Sequence, residues 1–299
     1  MIKNNKLHPW YITGLIDAEG SIGINLARDT TRKLGYIITV FLEIGLNIKE
    51  KMLLECVQAT LGVGNIYYKS SDRTYRWKVS NINQLYSVII PHLTIYPLLT
   101  QKRAYFQLFT KIIEIIKRKD HLFHNGLQEI VNLKASLNLG ITDNLKAFFP
   151  NTTAAVRPKV RFEVIPNSNW LSGFAEGEAC FFVSIYKSVK SKQGLAVQLV
   201  FKITQHSRDI ELLNGIADFF GCGRVEKRST EACDFTVNSL KSIYAKIIPF
   251  FLVHPLHGSK SENLKDFNKI VTIMGVRGHL TKEGLETIKN IKAGMNTNR

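Results

Sequence analysis

The stretch WYITGLIDAEGSIGI, residues 10–24, joins an apolar helical segment to an alternating one, and the same arrangement returns later in the chain. Residues 169–183, NWLSGFAEGEACFFV, repeat it at an offset of 159, so that Gly14 returns as Gly173. Apolar residues at helical spacing, followed directly by a β-branched alternation, predict a helix that leads into a strand. The sequence thus contains this helix–strand junction twice.

The repeat extends over most of the chain. The offset of 159 holds through the glycine pairs Gly35/Gly194 and Gly64/Gly223, after which one residue is lost and the offset becomes 158. A duplication of this length in one polypeptide predicts a pseudo-symmetric, single-chain counterpart of a C2 dimer.

The repeat also sets the expected domain boundaries. We assign an N-terminal domain to 8–140 and a C-terminal domain to 167–299. The intervening 141–166, ITDNLKAFFPNTTAAVRPKVRFEVIP, has the Pro, Thr and Asn content of a linker.

Each copy predicts an α+β domain. The order in each is a helix, two strands, a helix, two strands and then further helices. In the second hairpin of copy one, Trp77 and Val79 alternate with Arg76 and Lys78. One face of each four-stranded antiparallel sheet is therefore expected to be apolar and covered by helices, and the other polar and open.

Composition narrows the class of protein. Forty Lys and Arg against 24 Asp and Glu give a net charge of +16, which favours a polyanionic partner, nucleic acid above all. The alternative, an anionic membrane surface, lacks a strongly amphipathic basic helix to support it. We find no apolar run long enough to span a membrane and no signal peptide. The four cysteines show no C-x-x-C spacing, so reduced thiols and an intracellular or organellar location are expected.

The open sheet faces are the expected DNA-binding surfaces, because an antiparallel ribbon fits the major groove and its outward side chains can read base edges. The residues that alternation places there are Ser21, Asn25, Tyr67, Lys69, Arg76 and Lys78 in copy one, and Ser184, Tyr186, Gln198, Lys202, Arg224 and Arg228 in copy two.

The motif helices carry small residues at helical spacing. Gly14 and Ala18 lie four apart, as their counterparts do in copy two, and such pairs let two helices approach closely. If the two helices pack on each other, Glu19 and Glu178 at their ends lie side by side and suit a cation such as Mg²⁺. Asp17 and its counterpart, Glu176, are interpreted as capping or surface groups.

Both motifs resemble a known signature. ITGLIDAEG and LSGFAEGEA are similar to the motif of the LAGLIDADG homing endonucleases of the single-chain, two-motif kind, most like the fungal mitochondrial intron-encoded branch. The resemblance implies that Glu19 and Glu178 bind metal, together with the backbone carbonyls of Ala18 and Gly177. The second motif has Ala179 in place of the final glycine.

Three further residues gain expected catalytic roles from the resemblance. Gln205 resembles a polar residue that orders the attacking water in relatives, although its counterpart in copy one is Leu46. Lys102 and Lys260 match each other by position, and each either steadies phosphate charge or is a solvated lysine.

The family implies an activity and its requirements. The expected protein is a monomer without an obligate protein partner, located in mitochondria, that cuts both strands of a long, asymmetric double-stranded DNA site across the minor groove and leaves 3′ overhangs. Mg²⁺ is the expected cofactor; Mn²⁺ is expected to substitute, and Ca²⁺ to permit binding with little cleavage. The alternatives are an RNA maturase that assists group I intron splicing and a non-cleaving sequence-specific DNA-binding protein. Both glutamates are retained, which favours cleavage.

Overall fold

The computed structural model describes residues 6–137 and 140–296. The chain forms two compact units that divide between Arg161 and Phe162, called here unit 1 and unit 2. Each is an α+β structure built on one four-stranded antiparallel sheet, so the expected fold class is confirmed.

Unit 1 begins with a helix that leads straight into the sheet. Its elements are α1 (Pro9–Glu19), β1 (Gly20–Arg28), β2 (Tyr36–Asn47), α2 (Lys51–Leu61), β3 (Asn65–Lys69), β4 (Thr74–Val79), α3 (Ile82–Gln84), α4 (Ile90–Ile95), α5 (Lys102–Lys117), α6 (His124–Ala135) and α7 (Asp143–Phe148). A π-helical turn, Leu85–Ile89, joins α3 to α4. The strand order is β1-β2-β4-β3.

Unit 2 repeats this order. Its elements are α8 (Ser168–Glu178), β5 (Ala179–Lys187), β6 (Leu195–His206), α9 (Ile210–Phe220), β7 (Arg224–Lys227), β8 (Ala232–Val237), α10 (Leu240–Ser242), α11 (Ile248–Val253), α12 (Lys260–Gly275) and α13 (Lys282–Ala293). The corresponding π-helical turn is Ile243–Ile247. The strand order β5-β6-β8-β7 matches that of unit 1.

The core of each unit lies on one face of its sheet. Ile44 and Trp77 in unit 1, and Phe201 and Phe235 in unit 2, are fully buried. Helices α2 and α5 pack on the first sheet, and α9 and α12 on the second. Because alternate residues of a strand point to opposite sides, the residues between these core positions lie on the open face.

The turn from α2 into β3 depends on glycine. Gly62 ends α2 in the left-handed conformation, and Gly64 has φ 86° with its backbone against the Trp77 ring. A Cβ on Gly64 would lie 2.5 Å from Trp77 Nε1, which leaves no room for a side chain. Gly221 and Gly223 make the same turn in unit 2, which explains why the sequence repeats GVG as GCG.

The segment 141–166 is more structured than a linker of its composition suggests. It contains α7, whose Thr142 N-cap accepts a hydrogen bond from Leu145 N, and residues 155–157 contact other parts of unit 1. Ser136 Oγ donates to Ala155 O, and Arg157 stacks on Tyr105 at 4.1 Å. The assignment of 8–140 and 167–299 as the two domains stays a prediction.

Candidate active site and nucleic-acid interface

Helix α1 ends on Glu19 because the chain becomes extended at Gly20 (φ −71°, ψ 138°) and enters β1. A side chain at Gly20 would clash, since a Cβ there would lie 2.5 Å from Ile16 O. Glu19 is exposed. The C-terminal end of α1 therefore presents an accessible carboxylate.

Helix α8 ends in the same way although the motif glycine is replaced. Ala179 is extended (φ −82°, ψ 148°) and buried, and it begins β5 directly after Glu178. The departure from the motif thus leaves the turn out of the helix intact.

A lysine binds the last carbonyls of each motif helix. Lys102, the first residue of α5, donates from Nζ to Ile16 O and Asp17 O at 2.9 Å, and Nζ lies 3.4 Å from Ala18 O. Helix ends leave these carbonyls unpaired and carry partial negative charge, which an ammonium neutralises.

Lys260 occupies the same place in unit 2. As the first residue of α12 it donates from Nζ to Ala175 O at 3.1 Å and to Gly177 O at 2.8 Å. Both lysines are half-buried. The alternative of a solvated lysine is therefore wrong for each, since its ammonium is bound to a helix end.

Two carboxylates that the sequence analysis interprets as capping or surface groups are buried. Asp17 is 2% exposed and accepts hydrogen bonds from Leu99 N at 2.8 Å and from Thr100 N and Oγ1 at 3.2 and 2.7 Å. Glu176 is 7% exposed and accepts from the backbone N–H groups of His257 and Gly258. The surface interpretation is wrong because these carboxylates tie each motif helix to the loop that precedes its lysine.

Gln205 contacts the motif glutamate of unit 2. Its Nε2 donates to Glu178 Oε1 at 2.8 Å, while its own Oε1 accepts from His206 N. The equivalent place on β2 holds Leu46, which packs on the core and can donate no hydrogen bond. The two motif glutamates are therefore supported differently.

The six candidate DNA-binding residues of copy one share the open face of the first sheet. Ser21 lies opposite Glu43, and Glu43 lies opposite Lys78 on the next strand. Tyr67 lies opposite Arg76. The register thus places all six candidates on the face away from the core: Ser21, Asn25, Tyr67, Lys69, Arg76 and Lys78.

A buried acid organises this face. Glu43 is 5% exposed and accepts hydrogen bonds from Tyr67 OH at 2.6 Å and from Arg76 Nη1, while Lys78 Nζ lies 3.7 Å away. Burial raises the pKa of Glu43, but these hydrogen bonds and the charges of Arg76 and Lys78 outweigh it and hold the pKa below its ordinary value. Burial and the bond to Glu43 raise the pKa of Tyr67 to about 12.

The second sheet presents its candidates in the same manner. Ser184 lies opposite Gln198. Lys202 lies opposite Thr236, which in turn lies opposite Arg224, so these three residues extend across the open face. The candidates on this face are Ser184, Tyr186, Gln198, Lys202 and Arg224, and Arg228 follows directly after β7.

Comparison with known proteins establishes the family. A family model described as LAGLIDADG endonuclease matches residues 12–113 and 171–271, more than half of the chain. The chain belongs to the LAGLIDADG endonuclease family. The resemblance inferred from the motif is thereby confirmed.

Solved structures of LAGLIDADG endonucleases match nearly the whole chain. A crystal structure of the I-LtrWI LAGLIDADG homing endonuclease bound to target DNA is 51% identical, with a TM-score of 0.94 over 97% of this chain and 98% of that one. A structure of I-SmaMI bound to uncleaved DNA target in the presence of calcium ions is 38% identical, with a TM-score of 0.95 over 97% and 99%.

A curated relative extends beyond the matched region. The probable intron-encoded endonuclease 3 of Neurospora crassa is 37% identical over 286 residues, which cover 95% of this chain and 53% of the relative. The chain therefore spans about half the length of that relative.

The donors at each helix end fit the Mg²⁺ that the LAGLIDADG family implies. Each end offers one carboxylate, from Glu19 or Glu178, beside a main-chain carbonyl, from Ala18 or Gly177. Within residues 6–137 and 140–296 no group of three or more His, Cys, Asp or Glu could hold a metal ion. Mg²⁺ commonly takes one or two protein carboxylates and completes its shell with waters and substrate phosphates, so one carboxylate at each helix end is compatible with that metal.

Sequence reasoning missed a pair of buried hydroxyls that anchor the LAGLIDADG helices. Thr13 Oγ1 donates to Tyr96 O at 3.0 Å, and Ser172 Oγ donates to His254 O at 2.7 Å. A hydroxyl at the same place in both copies was the available signal. The small residues in the same helices predict close helix packing instead and give no sign of these hydrogen bonds.

Proposed function

We propose that the protein is a site-specific endonuclease that hydrolyses one phosphodiester bond on each strand of a double-stranded DNA target. The observation that carries the proposal is the repeated helix end. In each unit a motif helix ends on a glutamate while a lysine ammonium binds the carbonyls beside it. The DNA-bound state of relatives up to 51% identical over nearly the full chain supports DNA as the partner.

The two sheets supply target recognition in this proposal. Their open faces carry Arg and Lys among polar and aromatic side chains, and a twisted antiparallel ribbon is compatible with the major groove. The net charge of +16 adds a sequence-independent attraction to phosphate that weakens as salt rises. We expect each sheet to read one half of a long, asymmetric site.

The helix ends supply the chemistry. Glu19 and Glu178, with the carbonyls of Ala18 and Gly177, would hold Mg²⁺, which when bound activates water and stabilises the leaving 3′ oxygen. Each carboxylate serves one strand, and cleavage across the minor groove leaves 3′ overhangs.

The remaining residues position these groups. A helix C-terminus repels a phosphate through its partial negative charge. Lys102 and Lys260 offset that charge at the point where the scissile phosphate must approach. Gln205 fixes one oxygen of Glu178 by its hydrogen bond and so limits the rotamers of that carboxylate.

The cofactor preference follows from the donor set. Mg²⁺ is the working metal, and Mn²⁺ substitutes because it accepts the same oxygen ligands. Ca²⁺ supports binding with little cleavage, since its longer and looser coordination positions water poorly. The I-SmaMI structure with uncleaved DNA and calcium ions supports this distinction.

We further propose a monomeric enzyme that acts in mitochondria without an obligate protein partner. The fungal relative that is named as a probable intron-encoded endonuclease supports an organelle-encoded origin. Among the described residues, no helix is long and apolar enough to cross a membrane.

Cleavage of a plasmid tests the proposal against its alternatives. A target is first selected from a randomised duplex DNA library and cloned. We expect linear product in Mg²⁺, intact plasmid in EDTA, and binding without cutting by the double variant Glu19→Gln/Glu178→Gln. Cleavage in EDTA would contradict the metal assignment. Specific binding that never leads to cutting would favour a DNA-binding regulator, and preferential binding of intron RNA would favour a maturase.

A further inference from the structure

Each sheet carries an ion pair between its two inner strands, but the strand that carries the acid differs between the two sheets. In unit 1 the acid Glu43 lies on β2 and its partner Arg76 lies on β4. In unit 2 the base Lys202 lies on β6 and its partner Asp234 lies on β8, with Lys202 Nζ 3.3 Å from Asp234 Oδ2. The acid and the base have thus exchanged strands between the two units.

The register shows that these positions are equivalent. Arg76 lies opposite Gly45, and Asp234 lies opposite Thr204, the residue 159 positions after Gly45. Their partners also match: Glu43 lies two residues before Gly45 on β2, and Lys202 lies two residues before Thr204 on β6, again at an offset of 159. The exchange of charge therefore occurs at matched places and is not a shift of register.

In both pairs the cation is the more accessible member. The Arg76 side chain is 25% exposed against 7% for Glu43, and that of Lys202 is 33% exposed against 14% for Asp234. A ligand on the open face therefore meets the cation, and the acid beneath it fixes where the cation points.

The arginine is held in a way that leaves a donor pair available. Of its five N–H groups, Nη1 donates to Glu43, Nη2 to Asp72 Oδ2 at 2.7 Å, and Nε lies 3.4 Å from Thr74 Oγ1. The contacts account for three N–H groups. A planar guanidinium fixed with two further N–H donors matches the O6 and N7 acceptors of guanine in the major groove.

The exchange changes by one strand the backbone position that carries the exposed cation. Neighbouring strands lie about 4.8 Å apart, which exceeds the rise of about 3.4 Å between successive base pairs. We therefore expect the two cations, one carried by β4 and the other by β6, to approach different base positions in their half-sites.

We propose that these two ion pairs are specificity determinants that place the guanine preference at different positions in the two half-sites. The inference rests on the proposed reading of DNA by the open sheet faces. It assigns to Arg76 and Lys202 the base contacts, and to Glu43 and Asp234 the positioning of those two cations.

Exchanging the pairs between units tests the inference. The variant Glu43→Lys/Arg76→Asp gives unit 1 the polarity of unit 2, and Lys202→Glu/Asp234→Arg does the reverse. Each keeps an ion pair and the net charge. Targets are selected by binding from a randomised duplex DNA library in EDTA, so the readout is independent of metal and cleavage. We expect each variant to move a guanine preference of roughly tenfold or more within one half-site and to leave the other half-site unchanged.

The control reverses an exposed pair on α13, Glu286→Lys/Lys289→Glu, whose charged atoms lie 3.1 Å apart. Melting curves establish that each variant folds, and if one exchange does not fold, the reciprocal variant decides the question alone. Parent-like specificity in a folded exchange variant, or a uniform loss of affinity for all sequences, would overturn the inference. Failure of the parent protein to select any consensus would instead contradict the proposed function.

Discussion

At the scale of single residues, each motif helix is held by side chains whose partners come from far along the sequence. Asp17 accepts three hydrogen bonds from Leu99 and Thr100, and the Lys102 ammonium donates to the carbonyls at the end of the same helix. The loop before α5 is thus joined to α1 from both sides. The position of the glutamate at the helix end depends on this connection.

The substitution Asp17→Asn tests that connection. The amide replaces one accepting oxygen with a donor that faces N–H groups, so we expect a loss of about 1–3 kcal/mol in the free energy of unfolding. Urea unfolding measures it. Asp218→Asn, at an exposed position on α9, is the control and should change stability by less than about 0.5 kcal/mol. Equal stabilities of the two variants would show that the buried carboxylate does not hold the helix.

Gln205→Leu makes unit 2 resemble unit 1 at this position. Loss of the hydrogen bond to Glu178 should slow cleavage of one DNA strand by about tenfold, because a bond to a charged group contributes roughly 1.5–3 kcal/mol and Gln205 is partly solvated. Single-turnover cleavage with each strand labelled separately measures the effect. The matched variant Leu46→Gln should not slow either strand. Equal slowing of both strands by Gln205→Leu would contradict a role specific to Glu178.

At the scale of the elements, the turn after α2 depends on the absence of a side chain. Gly64→Ala brings a Cβ into the Trp77 ring in addition to the cost of its positive φ. We expect a loss of more than about 2 kcal/mol in stability. Gly35→Ala is the matched control, since Gly35 has φ 73° but no atom within 4 Å of its added Cβ, so only the backbone term of about 1 kcal/mol applies. Indistinguishable melting temperatures would contradict the close packing on Trp77.

The anchor of α1 on α4 predicts a pH dependence. Burial lowers the pKa of His92 to about 4, and its Nε2 lies 3.2 Å from Thr13 Oγ1. The unfolded chain, with an ordinary value of 6.5, binds the proton first. The stability contributed by neutral His92 is therefore complete above pH 6.5 and is lost as the pH falls towards 4.

His92→Phe should remove this dependence without disturbing the fold, because unit 2 already carries Phe250 at the equivalent place. We expect the loss of stability between pH 7 and pH 5 to be smaller by about 2 kcal/mol in the variant. Urea unfolding at both pH values gives the comparison. Parallel pH profiles for variant and parent would show that His92 is not buried in its neutral form.

The sequence was sufficient to predict these elements but not their contacts. The alternation of apolar and polar residues in β4 correctly predicted that Arg76 and Lys78 lie on the face away from the core, because side chains along a strand repeat with a period of two. It could not reveal Asp17 as buried, since a carboxylate on a helix looks the same whether it faces water or accepts hydrogen bonds from a loop 82 residues away. Helix α7 was missed within the linker, although its Thr142 N-cap was a readable signal.

At the scale of the whole molecule, the chain contains two similar units whose sequences differ at particular matched positions. The repeat predicted two sheets of the same kind and one motif glutamate in each unit, whereas the order of the strands within each sheet came only from the structure. The divergence is harder to interpret from sequence, because the exchange of Glu43 for Lys202 becomes meaningful only when the register brings each against its partner on the next strand. Differences such as Gln205 against Leu46 agree with the asymmetric target that we propose.

The most direct measurement is the strand specificity of the single variants Glu19→Gln and Glu178→Gln on a supercoiled plasmid that carries the selected target. The amide keeps the shape of the side chain and removes the charge that we propose holds the metal, so each variant should bind DNA as the parent does. We expect each to become a nickase, with cleavage of one strand reduced by about a hundredfold or more and the two variants sparing opposite strands. Cutting of both strands at the parental rate by either variant, or nicking of the same strand by both, would contradict the assignment of one motif glutamate to each strand.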